Sequence, residues 1–266
     1  MRPKIRKRLI ALLIAIFALG IAVVIDARFI EPRRIEVTHH LVPSRLTRPL
    51  KIVHLTDLHT YGAGAVEFEM LRLVAAEHAD LIVITGDLIS SADAYEGCRE
   101  VLRGLHAPLG VWVVHGNHEI WAPVKDEAGY YTSEGSTILV NESREVSQGV
   151  WIAGFDDAYA GSPDLERTLA GVPEGAFKIA LFHSPVFFDE VAGRCDIALA
   201  GHTHGGQVRL PLLSPFWLPP SCGRYVDGWY EQQGSRMYVN RGIGISILPV
   251  RFLCRPEIAV FELEPQ

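Results

Sequence analysis

The sequence predicts an α/β protein with sheets and helices in layers, preceded by an apolar N-terminal helix. Three observations lead to this prediction. From residue 50 onward, short runs rich in Val, Ile and Leu alternate with longer stretches of helical spacing. Most of these runs are almost entirely apolar, as is typical of strands buried on both faces of a sheet. A separate run of 17 uncharged residues occupies positions 9–25.

The apolar run near the N-terminus predicts a membrane anchor. At about 1.5 Å per residue, a 17-residue helix reaches roughly 25 Å, the short end of what spans a bilayer. A cleaved signal peptide and a buried core helix are the alternatives. The region around Asp26 offers no good small-x-small cleavage site, and no adjacent Arg-Arg pair precedes the run. We therefore expect an uncleaved basic segment and anchor at 1–27, a neck at 28–49 and the main domain at 50–266.

Charge is distributed unevenly along the 266 residues. The formal net charge is −6, yet residues 1–48 carry ten Lys/Arg and three Asp/Glu, which leaves 15 Lys/Arg against 28 Asp/Glu in the rest. The basic N-terminal part suits an anionic membrane surface, and the acidic main domain is a poor partner for nucleic acid, so none is expected. Five cations precede the apolar run and four follow it closely. Because the more cationic flank of a membrane helix tends to stay in the cytoplasm, this count slightly favours an external main domain. A helix this short could also lie in the membrane interface and leave the domain cytoplasmic.

Eight apolar runs, each ended by a turn-forming or polar residue, are predicted as strands: 51–57, 80–87, 110–117, 149–155, 177–184, 195–202, 237–242 and 257–263. The stretches with helical spacing or a helix-start signal are 65–79, 93–106, 164–170 and 185–193. A chain of 48% hydrophobic and 21% charged residues is expected to be ordered.

Acids, amides and histidines recur at the carboxyl ends of these predicted strands. In open α/β sheets ligands bind at that edge, where the loops converge. The residues concerned are Asp57, His59, Asp87, Asn117, His118, His183, His202 and His204. Singly, each has an ordinary explanation, such as a hydrogen-bonded core histidine or a Gly-Asn turn. Their joint occurrence at five strand ends favours a metal site.

The mixture of carboxylates and imidazoles indicates borderline divalent ions such as Mn²⁺, Fe²⁺ or Zn²⁺. Seven ligands are too many for one tetrahedral ion, and they suit two ions about 3.5–4 Å apart that share a bridging ligand. A pair of this kind clamps the oxygens of an in-line phosphoryl displacement.

The pattern D-x-H…G-D…G-N-H-E…H…G-H-x-H resembles the calcineurin-like metallophosphoesterase superfamily over residues 50–263. This resemblance implies two central β-sheets flanked by helices and a hydrolase with two metal ions. It assigns Asp57, His59 and His204 to one ion and Asn117, His183 and His202 to the other. Asp87 would bridge both ions as part of the catalytic centre, and His118 would stabilise or protonate the leaving oxygen. No ligand position is missing, so the resemblance implies an active enzyme.

The extended run 201–207, together with the anchor, resembles the membrane-associated bacterial branch of that superfamily. Some members of that branch are phosphodiesterases and others UDP-diacylglucosamine pyrophosphatases. The resemblance therefore implies a location at the bacterial cell membrane and a phosphorylated small molecule or lipid as substrate.

Residues 211–220 place five apolar side chains among four prolines. This loop either packs on the core or forms an apolar lip that touches acyl chains.

Three other functions are compatible with the residues. A phosphoprotein phosphatase also has two metal ions but is disfavoured by the anchor. A nuclease is disfavoured by the acidic domain. A scaffold without turnover should have lost metal ligands.

The four cysteines lack a C-x-x-C pair and are expected to be isolated thiols, with Cys222–Cys254 as a candidate disulfide if the domain is exported. His54 and His115 are expected to pack near the site, and the remaining histidines, His39, His40, His78 and His106, to face solvent.

Overall fold

A computed structural model describes residues 3–265 and contains two six-stranded sheets. The strands are β1 Glu36–Ser44, β2 Leu50–Leu55, β3 Leu81–Thr85, β4 Val111–Val114, β5 Ser136–Leu139, β6 Glu142–Ser147, β7 Val150–Gly154, β8 Phe177–Leu181, β9 Ile197–Ala200, β10 Gly228–Gln232, β11 Ser235–Val239 and β12 Glu257–Pro265. The α-helices are α1 Pro3–Ile25, α2 Ala65–Glu77, α3 Tyr95–Arg103, α4 Asn117–Trp121, α5 Glu127–Ser133, α6 Leu165–Leu169 and α7 Phe188–Val191.

The first sheet has the order β1-β12-β2-β3-β4-β5, and the second has the order β10-β11-β9-β8-β7-β6. β2 to β5 are parallel to one another, as are β7, β8, β9 and β11. Because parallel neighbours end at the same edge, the loops that follow them gather on one side of each sheet.

The two sheets pack face to face, and helices cover their outer faces. Ile52, Val83 and Leu181 belong to the apolar core between the sheets. A second core joins the first sheet to α2 and α3, and a third joins the second sheet to α7. The layered α/β fold with two central sheets is therefore confirmed.

All eight predicted strands are present, with slightly different bounds. The four that were not predicted, β1, β5, β6 and β10, are the outermost strands of the two sheets. Their sequences mix polar and apolar residues because an outer strand has a solvated edge and needs no continuous apolar run. β1 lies inside the stretch that was expected to be a neck, so the first sheet begins before residue 50.

The predicted helices at 65–79, 93–106 and 164–170 correspond to α2, α3 and α6, while the stretch 185–193 forms a 3₁₀ turn, Pro185–Phe187, that leads into α7. α4 and α5 were not predicted. Both are under eight residues long, too short for a helical repeat to show in the sequence.

α1 extends away from this body. Its 23 residues span about 35 Å, and the side chains from Leu9 to Ile25 are exposed. A π-helical turn, Asp26–Ile30, and a 3₁₀ turn, Glu31–Arg33, continue it towards β1. By length and composition this is a helix that can cross a membrane, as the sequence predicted.

Candidate metal centre

The eight polar residues singled out in the sequence meet where the two sheets share an edge. Those numbered below 120 follow β2, β3 and β4 of the first sheet, and the others follow β8 and β9 of the second. Seven of them are buried, namely Asp57, His59, Asp87, Asn117, His183, His202 and His204. Buried charges require partners, so this cluster needs a physical explanation.

Asp57, His59 and His204 form the first of three groups of possible ligand atoms. One ligand atom from each residue lies within 4.8 Å of those of the other two. Nε2 of His204 is 3.3 Å from Oδ1 of Asp57 and 3.2 Å from Nε2 of His59. These three side chains can hold one cation between them.

Asp87, His183 and His202 form the second group, also with ligand atoms within 4.8 Å of one another. Oδ2 of Asp87 lies 3.3 Å from Nε2 of His183 and 3.6 Å from Nε2 of His59 in the first group. One carboxylate oxygen thus faces both groups. Asn117 lines the same cavity as Asp87 and His202.

The hydrogen bonds of His183 and His202 show that a cation suits this position. Nδ1 of His183 lies 2.7 Å from the carbonyl oxygen of Thr85, and Nε2 of His202 lies 2.7 Å from that of Pro220. A carbonyl can only accept, so both of these nitrogens carry the hydrogen. In the neutral rings, Nε2 of His183 and Nδ1 of His202 then face each other with lone pairs at 3.0 Å. A cation shared by the two nitrogens removes this conflict, either a proton carried by Nε2 of His183 or a divalent ion bound by both lone pairs.

Two side-chain oxygens support the same conclusion. Oδ1 of Asp57 and Oδ1 of Asn117 are buried, and neither accepts a hydrogen bond within residues 3–265; the 3.3 Å contact of Oδ1 of Asp57 with Nε2 of His204 does not have hydrogen-bond geometry. An unpaired buried acceptor is costly, whereas metal ligation satisfies it. The donor set therefore fits a pair of divalent ions.

The histidines of the site differ in the direction of their pKa shifts. Burial opposes ionisation of His183, but the carboxylates of Asp87 and Asp57 outweigh it and hold its pKa well above the usual value. Burial lowers the pKa of His59 to about 4 and that of His202 to about 4. These two imidazoles are thus neutral near pH 7, the form that ligates metals.

Five of these residues have left-handed backbone conformations. The φ angles are 50° at Asp57, 45° at His59, 52° at Asp87, 71° at His202 and 50° at His204. For a residue with a Cβ, the left-handed conformation is less favourable than the right-handed one by about 1–2 kcal/mol of free energy. Such strain concentrates at functional sites and persists because the surroundings hold it in place.

Glu119 is a functional residue whose role the sequence analysis did not identify. It is buried, and its carboxylate accepts backbone N–H groups from Asp87 at 2.8 Å, Leu88 at 2.9 Å and Gly116 at 2.8 Å. It therefore ties the loop after β3 to the start of α4. The G-N-H-E motif contained the signal, since Glu is preferred at the third position of a helix.

His118 lies at the rim of the site and is partly buried. Its Nδ1 donates to the carbonyl oxygen of Ser90 at 3.0 Å, which leaves Nε2 for a bound molecule. Its backbone N–H donates to Oδ1 of Asp87 at 2.9 Å. A ligand atom of His118 also lies within 4.8 Å of those of His59 and Asp87, which makes these residues the third group. Nε2 of His118 can accept a proton or, in the imidazolium form, donate one to a bound molecule.

A cavity of about 180 Å³ opens above Asp87, Asn117 and His118. Its walls are largely aromatic and apolar, and they include Trp121, Tyr159, Trp217, Pro219, Pro220 and Ile247. In the proline-rich loop, the four side chains of Leu212, Leu213, Phe216 and Trp217 are exposed. Of the two alternatives for residues 211–220, the structure thus favours an exposed apolar lip.

The other histidines and the cysteines mostly follow expectation. His54 is buried against Thr85, and His115 contacts Asp156 and Glu127. His39, His78 and His106 are exposed, but His40 is half-buried and stacks on Phe261, so its expected exposure was wrong. All four cysteines are buried and free, and no disulfide joins Cys222 to Cys254.

Comparison with known proteins decides the family. The sequence profile of the calcineurin-like phosphoesterases matches residues 50–206. The chain belongs to this family. It is therefore a hydrolase, and the family's typical binuclear centre of divalent ions agrees with the first two groups of ligand atoms.

Three relatives illustrate the range of the family. The chain is 36% identical to uncharacterized metallophosphoesterase YkuE of Bacillus subtilis, over 90% of this chain and 88% of the relative. It is 30% identical to phosphodiesterase YaeI of Escherichia coli, over 81% of this chain and 82% of the relative. It is also 30% identical to a bovine transmembrane protein with metallophosphoesterase domain, over 86% of this chain but only 56% of that relative.

Proposed function

We propose that this phosphoesterase hydrolyses a phosphodiester or pyrophosphate bond with two divalent ions. Asp57, His59 and His204 would hold one ion, Asn117, His183 and His202 would hold the other, and Asp87 would be shared by both. The facing ring nitrogens of His183 and His202, beside a carboxylate oxygen shared by both groups, are the observation that carries this proposal. Because imidazoles and carboxylates are mixed, Mn²⁺, Fe²⁺ and Zn²⁺ are the expected ions.

When bound, the two ions would supply an activated water molecule as nucleophile and neutralise charge on the phosphoryl oxygens. His118, held through Nδ1 by Ser90, would in its imidazolium form donate a proton from Nε2 to the leaving oxygen as the bond from that oxygen to phosphorus breaks, and would regain a proton from solvent. Glu119 keeps Asp87 in its left-handed conformation throughout.

The proposed substrate is a phosphorylated lipid or lipid precursor at the bacterial cell membrane. The exposed apolar α1 and the exposed lip support it, as do the phosphodiesterase name of YaeI and the transmembrane name of the bovine relative. The resemblance of the run 201–207 to the UDP-diacylglucosamine pyrophosphatase-like branch points the same way. We assign the membrane anchor to 1–27 and catalysis to the residues that follow the neck.

The test uses the full-length protein with bis(p-nitrophenyl) phosphate and measures bound metal alongside turnover. Asp87→Asn should lose bound metal and reduce kcat by at least about a hundredfold, because both ions share this carboxylate. Glu174→Gln, an exposed acid-to-amide change, is the matched control and should behave as wild type. An Asp87→Asn variant that keeps its metal and its rate would overturn the assignment.

A phosphoserine peptide assayed in parallel tests the main alternative. Turnover of this peptide without turnover of the diester would identify a phosphoprotein phosphatase. Metal binding without turnover of diester, pyrophosphate or peptide would identify a scaffold.

A further inference from the structure

Two loops beside the metal cavity carry exposed apolar side chains. We call these residues the apolar rim: Leu210, Leu212, Leu213, Phe216, Trp217, Ile247, Leu248 and Leu253. Leu212 is completely exposed, and Phe216 and Ile247 are 71% and 75% exposed. Soluble surfaces rarely present this many large apolar residues together, so the rim indicates an interaction surface.

Hydrogen bonds join the two loops into one unit. The backbone N–H of Phe252 donates to the carbonyl of Gln207 at 2.9 Å. The carbonyl of Phe252 in turn accepts the backbone N–H of Arg209 at 2.9 Å. The side-chain amide of Gln207 donates to the carbonyls of Ser246 at 3.0 Å and Leu248 at 2.7 Å. Gln207 directly follows the turn that carries His202 and His204, so the rim is held at a fixed position relative to the metal ligands.

The end of the N-terminal helical segment is bonded to the same loop. The backbone N–H of Arg251 donates to the carbonyl of Ala27 at 2.9 Å, and that of Cys254 donates to the carboxylate of Glu31. The guanidinium of Arg251 is fully buried and donates to carbonyls of its own loop and the preceding one, including Gly242 at 3.0 Å and Cys254 at 3.2 Å. The segment that follows α1 is therefore attached to the rim without a flexible linker.

Unpaired cations lie on the segments where α1 meets the rim. Arg28, Arg33, Arg34 and Arg255 are exposed. Within residues 3–265 none of the four forms an ion pair. Arginines beside an apolar surface suit the phosphates of an anionic bilayer.

We infer that the apolar rim inserts into the surface of a lipid bilayer, so that the metal cavity opens at the level of the lipid headgroups. This inference rests on the membrane attachment proposed above and adds the orientation of the domain. The bilayer is the occupant because the rim adjoins the exposed apolar helix and the arginines. Trp217 and Ile247 belong to both rim and cavity, so a lipid phosphate would reach the metal groups along this surface.

Fluorescence quenching in vesicles tests the orientation without relying on activity. The full-length protein is placed in phosphatidylcholine–phosphatidylglycerol vesicles with a bimane label at Leu212→Cys or Leu253→Cys. The four native cysteines are buried, so the new thiol is labelled selectively. The control is Gln148→Cys, an exposed position in the turn before β7, at the opposite edge of the second sheet.

Spin-labelled lipid should quench both rim labels at least threefold more strongly than the label at 148. Equal quenching at all three positions, in protein that floats with the vesicles, would overturn the docked orientation alone. Protein that does not float with the vesicles would overturn the membrane attachment as well. Neither result depends on hydrolysis. A failure of the proposed membrane orientation can therefore be told apart from a failure of the proposed reaction.

A second measurement connects the orientation to turnover. Leu212 and Leu213 do not line the cavity, so the double variant Leu212→Ser/Leu213→Ser should hydrolyse a soluble nitrophenyl diester at the wild-type rate. With a nitrophenyl phosphodiester lipid carried in vesicles, its rate should fall at least fivefold. Leu41→Ser, an exposed leucine on β1, is the control and should change neither rate. An equal loss on both substrates, or none on either, would contradict the inference.

Discussion

The carboxylate of Glu119 accepts the backbone N–H of Asp87 at 2.8 Å, and Oδ2 of the same Asp87 faces both groups of ligands. The same carboxylate accepts the N–H groups of Leu88 and Gly116. Asp87 is held in this way at a φ of 52° that its side chain disfavours. The position of the proposed bridging ligand therefore depends on a residue that need not touch metal or substrate.

Glu119→Gln should destabilise the fold and weaken metal binding. An amide has one acceptor oxygen where the carboxylate has two, so at least one buried N–H loses its partner. We expect the free energy of unfolding to fall by about 2–3 kcal/mol, measured in urea. Bound metal and kcat should fall together. Glu100→Gln, on the exposed side of α3, is the control; equal stability of the two variants would contradict this role.

His118→Asn should impair the chemical step without removing metal. Loss of a general acid lowers kcat by about 10²–10⁴-fold when the leaving oxygen is basic. The loss should be much smaller with a nitrophenolate leaving group, which departs without a proton. Comparing an alkyl with a nitrophenyl phosphodiester measures this difference. A uniform loss on both substrates, or depletion of the metal, would instead make His118 a structural or ligating residue.

Metal removal should lower the stability of the domain. Without a cation the facing nitrogens of His183 and His202 and the carboxylates of Asp57 and Asp87 lose their shared partner. At ion concentrations 100- to 1,000-fold above Kd, binding contributes about 3–4 kcal/mol. Dialysis against a chelator should therefore lower the melting temperature, and Mn²⁺ or Zn²⁺ should restore it. Asp87→Asn should show little of this response, and a wild-type melting temperature insensitive to metal would contradict the site.

The cysteines should be unreactive in the native protein. Burial raises the pKa of the Cys98, Cys195 and Cys222 thiols to about 12 each and also raises that of Cys254. At pH 8 a thiol of this kind is ionised to only about one part in 10⁴, and only the thiolate reacts. Iodoacetamide should modify none of them within an hour at pH 8 and all four in guanidinium chloride. Rapid native labelling of any one would show that its surroundings open.

Much of the site can be read from the sequence because its chemistry is local to strand ends. Asp57, Asp87 and Asn117 each follow an apolar run, at intervals of 30 residues. Parallel strands must bring such residues to one edge, so their convergence follows from the pattern alone. The central strands were recognised for a related reason, since burial on both faces demands a nearly continuous apolar run.

The outer strands, the lone-pair geometry and the orientation of the domain are set by tertiary contacts. β6, with the sequence ESREVS, is a strand because β7 pairs with it, not because its residues favour one. The conflict between His183 and His202 exists only because carbonyls from distant segments hold their other nitrogens. Residue order determined the fold class and the identity of the polar strand-end residues. Which atoms face each other, and which loop receives the end of the N-terminal helical segment, depend on contacts between residues far apart in the chain.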